Sequence, residues 1–202
     1  MMGDNCMANS SSRLTRKEKA LVEIFLQALC YVHESHSSLF EDNVNERDVC
    51  SHLFSFIERS KENTWFTNYF VDVEYNRMLG GGPKIIFDEK NGIDITIIPD
   101  LVIHGRGRID GHENLLCVEI KKSNAPSSEK EDDLRRLSFL TKRKMHLRRN
   151  TNYVYGYLIG IYYEYNYPRQ RSKLKIFKNG KAVCTMIFNF CDIFDLVEEI
   201  DS

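Results

Sequence analysis

The segments ITIIPDLVIH (residues 95–104) and NLLCVEIKK (residues 114–122) decide how this chain folds. Both are apolar, β-rich runs with polar groups gathered at one end, and both read as strands. The intervening HGRGRIDGHEN is rich in turn formers, so the two runs read as a hairpin. Pro99 cannot donate to a ladder, which predicts a strand edge, bend or bulge at that point. Along the second strand, alternation sends Glu119 and Lys121 to one side and Ile120 to the other. If the strands pair through the turn, Asp100 comes level with Glu119.

Upstream of the hairpin, residues 1–13 are small and polar and read as a disordered terminus. Residues 14–202 read as a single domain. Thr15 and Glu18 have capping-box spacing, and they open a helix whose Leu21, Ile24, Phe25, Ala28, Leu29 and Val32 share one face. A second helix is expected over residues 45–59, with Glu46 in its first turn and Val49, Leu53, Phe56 and Ile57 inward. Phe70, Val71, Val73 and Tyr75 then alternate as a strand. Gly80-Gly81-Gly82-Pro83 demands a loop. Residues 85–87 and 93–103 are further strand text. Downstream, Ser127-Ser128-Glu129 opens a helix reaching about residue 147, with Leu134, Leu137 and Leu140 inward. Residues 153–163 are too β-rich for a helix. Residues 174–177 and 182–188 form a hairpin closed by Asn179-Gly180, and residues 193–200 form a short acidic helix. The order ααβ(β)ββαβββα is a mixed α/β fold.

Composition narrows the function classes. With 202 residues, 42% of them hydrophobic and including 12 Phe and 10 Tyr, the chain can bury a sizeable core. Its net charge of −1 supplies no overall attraction to a polyanion, so a nucleic-acid partner needs a local basic patch. No apolar run approaches the roughly 18 residues of a membrane span, and the polar start lacks the apolar middle of a signal peptide. A cytoplasmic protein without a membrane partner is expected. The six cysteines lack zinc-knuckle spacing and read as reduced, mostly buried thiols. Gly80–Gly82 is followed by no Gly-Lys-Ser/Thr, which excludes a P-loop.

The chemistry concentrates at Pro99-Asp100 and, 18 residues further on, Glu119-Ile120-Lys121. Two converging carboxylates make a hard-oxygen site suited to magnesium or manganese. An adjacent ammonium offsets their repulsion, contacts a phosphate, or positions or deprotonates a water. Metal-assisted phosphodiester hydrolysis asks for those parts. The bland alternative has Asp100 capping a turn while Glu119 and Lys121 form a solvated edge pair of little energetic consequence.

The Pro-Asp…Glu-x-Lys arrangement, with a helix before it and a helix and strand after it, resembles the PD-(D/E)XK nuclease superfamily over roughly residues 44–165. ENLLCVEIKKS followed by Asp133, Leu134 and Leu137 is similar to small bacterial and phage members. The resemblance implies a restriction-endonuclease-like core, a central mixed β-sheet flanked by helices. It implies Asp100 and Glu119 as ligands of Mg2+, with Mn2+ as a substitute, aided by the main-chain carbonyl of Ile120, and Lys121 as the catalytic lysine. Many members add a glutamate from the first core helix, where Glu46 stands. Glu74 on the first strand is its rival. The implied activity is a metal-dependent nuclease, an endonuclease with DNA favoured over RNA. The alternative is a non-cleaving nucleic-acid-binding or assembly subunit of the same fold, and a homodimer is compatible with either.

Other features are less specific. Residues 134–151 hold seven Arg or Lys and no acid, while residues 182–202 hold five acids and no Lys or Arg. That asymmetry lets a near-neutral chain present one electropositive face. Lys142, Arg143 and Lys144 are candidate phosphate contacts, as are Arg106 and Arg108, expected near the mouth of the site. A solvated helix face reads the same run equally well. His33, His36 and His104 read as structural, with His104 also a candidate support for the site. The tyrosines of residues 153–167 read as sheet packing rather than base-stacking groups.

Overall fold

The computed structural model describes residues 14–41, 45–78, 81–88, 91–109, 111–143, 153–193 and 195–196. Helix α1 (Arg16–Ser35) starts where its capping box dictates: Glu18 N donates to the Thr15 hydroxyl at 3.3 Å and Thr15 N to the Glu18 carboxylate at 2.7 Å. A single turn, α2 (Ser38–Glu41), precedes α3 (Glu46–Ser60), whose Asn45 cap accepts from Arg47 N at 3.2 Å. Then follow β1 (Phe70–Val73), β2 (Ile85–Asp88), β3 (Ile93–Thr96), β4 (Leu101–His104) and β5 (Asn114–Lys122). Helix α4 (Ser127–Leu140) leads to β6 (Ile159–Asn166), β7 (Arg171–Lys178) and β8 (Lys181–Asn189).

Six strands form one sheet in the order β1-β4-β5-β6-β7-β8. Its neighbours are antiparallel except β5 and β6, which run parallel and are joined through α4. A parallel pair requires such a crossover. The chain is thus α/β with a mixed central sheet flanked by helices.

Alternation divides the interior in two. On one face Leu21, Phe25, Leu29, Leu53 and Ile57 of α1 and α3 bury Leu101, Ile103, Val118, Ile120 and Tyr163. On the other, Leu137 and Leu140 of α4 and Ile86 of β2 cover Val102, Cys117 and Tyr162. Each fully buried side chain of this size contributes about 1.5–3 kcal/mol. Helix α4 lies close on β6 because residue 160 is glycine. A Cβ there would stand 2.9 Å from Thr141 Cγ2 and 3.3 Å from Leu137 Cδ2.

Several expectations shift. The strand text of residues 93–103 breaks around Pro99: β3 pairs only with β2 in a separate hairpin, while β4 enters the main sheet. Helix α4 ends at Leu140 rather than near residue 147. Thr141 turns its hydroxyl onto Leu137 O at 2.8 Å, and Tyr157 N takes Leu140 O at 3.0 Å. The second of these takes a carbonyl that another helical turn would need. Residues 153–158 lack strand structure, and β6 starts at Ile159. Cys184 is disulfide-bonded, against the expectation of six reduced thiols, while Cys30, Cys50, Cys117 and Cys191 are free. Spacing in sequence says nothing about which sulfurs meet in space. Residues 1–13 and most of the expected acidic helix lie outside the described residues. Among the described residues, no helix is long and apolar enough to cross a membrane.

Candidate functional site

The register pairs Leu101 with Val118 as the last rung between β4 and β5, yet β5 continues to Lys122. One rung further, Asp100 is level with Glu119. Beyond that rung the β4-facing side of β5 is open, and two carboxylates occupy it. Asp100 Oδ2 accepts from Ile120 N at 2.7 Å, and Glu46 Oε1, from the first turn of α3, accepts from Lys122 N at 2.8 Å. A strand residue sends its N–H and C=O to the same side, so the Ile120 carbonyl also points here. Its ladder partner would be Pro99, which has no N–H to give it.

Glu119 and Lys121 point to the face covered by α4. Glu119 is 1% exposed, and its Oε1 accepts from Arg136 Nε at 3.0 Å. A second guanidinium nitrogen of Arg136 holds Asp133 Oδ1. Lys121 Nζ stands 3.3 Å from Glu46 Oε2 and 3.6 Å from Asp133 Oδ2. The latter distance exceeds hydrogen-bond range, and Asp133 Oδ2 is buried without a hydrogen-bond partner. Four carboxylates therefore face two cations. The solvated edge pair does not form, because both of its members turn inward.

Burial sets the protonation of this cluster. Desolvation, with repulsion from Asp133 and Glu46, raises the Asp100 carboxyl to about 6 despite the Ile120 N–H and Lys121. Glu119 is raised by burial and then by Asp100, with Arg136 opposing. Burial pulls Lys121 down, but Asp133, Glu46 and Asp100 outweigh it and leave the ammonium above its ordinary value. The surrounding acids therefore favour the charged form of Lys121.

The rival Glu74 is held elsewhere: Arg47 Nε donates to its carboxylate at 2.8 Å and keeps it below the usual range, against weak desolvation. Its backbone lies at φ +50°. Arg106 and Arg108 are not at the mouth, contrary to expectation. Asp100 and Glu119 lie at the end of the β4–β5 pair away from the turn, whereas the backbones of both arginines lie in the turn beyond His104. That residue is itself about 13 Å along β4 from Asp100 at roughly 3.3 Å per residue, and the Arg106 guanidinium reaches back only to Asp72, opposite Val102. Arg106 Nε bonds Asp72 at 2.9 Å, beside His104 Nε2 at 2.8 Å, and both arginines lie over the Phe70 ring. His104 thus supports that far end. Arg143 Nε donates to Asn179 at 2.6 Å, Lys142 lies over the Phe139 ring, and Arg135 pairs with Asp132. Lys144 lies outside the described residues. His33 stacks on Phe40 and bonds the Tyr163 hydroxyl at 2.8 Å, and Tyr157, Tyr162, Tyr163 and Tyr165 are buried packing groups.

Asp133 and Arg136 join the site although the sequence pattern does not mark them as members of it. Asp133 occupies an inward position expected of Leu134, which is only partly buried. Its spacing of four and seven from Leu137 and Leu140 was the available signal: a charge on an apolar stripe.

The donor chemistry suits a hard divalent cation, since Asp100, Glu119, Glu46 and the Ile120 carbonyl all offer oxygen atoms. The unbonded Asp133 Oδ2 adds a further buried acceptor. The side chains do not converge unaided: among the described residues, no three His, Cys, Asp or Glu side chains make a ligand set. Like charges repel, and each acid gives one oxygen to the nearest donor, with Glu46 giving both. No family model, curated protein or solved structure matches this chain.

Proposed function

We propose that this chain is a magnesium-dependent nuclease of the PD-(D/E)XK type, with a restriction-endonuclease-like core, that hydrolyses phosphodiester bonds, DNA being the favoured substrate. The observation that carries this reading is the excess of carboxylates over cations at the open end of β4 and β5. Four carboxylates with two cations leave an excess of negative charge that is costly in a largely desolvated site, and a divalent cation compensates it. Asp100 and Glu119 hold the ion with the Ile120 carbonyl and Glu46. Bound there, Mg2+ or Mn2+ supplies a Lewis acid that activates water and screens charge on the phosphate. Lys121, kept protonated by its acidic neighbours, faces the phosphate as a fixed positive charge and stabilises what develops there. Glu46 orients that ammonium.

Purified protein is incubated with plasmid, linear DNA and RNA in magnesium, manganese or EDTA. Cleavage that requires the metal and disappears in Asp100→Ala and Glu119→Ala is the expected result. Lys121→Ala should keep metal binding by calorimetry while losing turnover. Cleavage that survives EDTA and both acid variants overturns the assignment.

A second reading, a non-cleaving nucleic-acid-binding or assembly subunit, draws on a specific observation: Lys121 and Arg136 already engage every carboxylate of the cluster except Asp100. Nucleic-acid binding without divalent-ion binding or cleavage selects it.

A further inference from the structure

Arg136 is the one guanidinium drawn into the carboxylate cluster, and its position is specific. Its Nε lies 3.0 Å from Glu119 Oε1, the carboxylate oxygen a metal would compete for. Its other contact, Asp133, is on the same helix three residues earlier, so the arm keeps an anchor on α4 when it leaves Glu119. Lys121 cannot replace it, being occupied by Glu46 and Asp133. Glu119 is fully buried, but the Arg136 side chain is 27% exposed. Its outer side borders a groove of about 580 Å³ between α4 and the β2–β3 hairpin, lined by Arg135 and Lys142 and also by Asp88 and Asp132, the last paired with Arg135. The arm therefore has both a place to leave and a place to go.

We infer that Arg136 is the resident counter-ion of the site, sharing Glu119 with the divalent ion, so that loading the ion releases the guanidinium toward the groove and makes it a phosphate contact. The inference rests on the nuclease reading above. A planar fork suits both states, because it matches carboxylate and phosphate equally well. Two consequences follow. The ion meets only those molecules in which Glu119 is free, so its apparent affinity is reduced by that fraction. A phosphate that captures the released arginine favours the same state, so nucleic acid and ion strengthen each other's binding by one reciprocal factor.

Calorimetry with Mn2+ on wild type, Arg136→Gln and Arg136→Lys tests this, at a pH above the raised Glu119 value so that protons do not replace the arginine. Removing one competing charge-assisted hydrogen bond should tighten Mn2+ binding by about tenfold or more in Arg136→Gln, while lowering the thermal midpoint without metal. Arg136→Lys, which keeps the charge but loses the fork, guards against a failure of the first variant to fold and should give a smaller gain. Tightening of Mn2+ by a short uncleaved phosphorothioate strand should occur in wild type and vanish in Arg136→Gln. Variants that bind Mn2+ no more tightly than wild type overturn the inference and leave the nuclease reading standing. Absence of Mn2+ binding in wild type and both variants overturns the two together.

Discussion

Two lysines, one half-buried and one buried, show how neighbours decide what a charge does. Acids hold Lys121 above its ordinary value, whereas the ammonium of Lys84, 2% exposed, meets the Tyr157 hydroxyl at 3.0 Å and the Tyr75 ring at 4.9 Å. Burial lowers Lys84 to about 8, with Cys117 and then Asp72 and Glu113 only partly restoring it. An unfolded lysine holds its proton to about 10.4. Between those values the native state carries fewer protons than the unfolded state, so stability rises with pH. Lys84→Met removes that contribution. The stability of the variant relative to wild type should therefore fall by about 2–3 kcal/mol from pH 8 to pH 10, read from urea midpoints. A difference that stays constant over this range removes Lys84 as the cause.

Elements were legible where local chemistry alone sets them. The Thr15–Glu18 box starts α1, and Pro99 breaks the long strand text, each a consequence of a backbone donor supplied or missing. The level of Asp100 with Glu119 was equally legible, because hairpin pairing is arithmetic. The same arithmetic would have put Arg106 and Arg108 at the turn end of the pair, away from the acids. Their charge suggested a mouth that the topology does not supply. The end of α4 was not legible: Tyr157 N takes the Leu140 carbonyl and Gly180 N donates to the Thr141 hydroxyl only once α4 is packed on the sheet. Nor was the Arg136–Glu119 pair, which joins two elements through the same docking. The close approach at Gly160 governs that docking. Gly160→Ala should cost about 1–3 kcal/mol through overpacking against Thr141, seen as a thermal midpoint lower by several degrees. An unchanged midpoint would show that α4 yields without cost.

Across the whole molecule, near-neutral charge leaves nucleic-acid binding to local basic groups. Replacing Lys142, Arg143 and Lys144 together by neutral residues should flatten the slope of log affinity against log salt by up to about three contacts at about 0.9 each. Calcium in place of magnesium tests this without cleavage, and Arg106→Ala, at the far end of β4, should leave the slope unchanged. An unaltered slope in the triple variant would reduce the run to a solvated face. The early end of β4 also bears on how the molecule behaves in a crowd. Bare backbone donors and acceptors are normally found at the outer rim of a sheet, where they template pairing with a stray chain and invite aggregation. Here a bare stretch is set inside the sheet, between β4 and β6, and is only a few residues long. Asp100 and Glu46 already guard its donors, and Pro99 interrupts its inner bank. An invading strand has neither the length nor the free hydrogens to zip into it, so this gap can stay polar and open without making the protein adhesive.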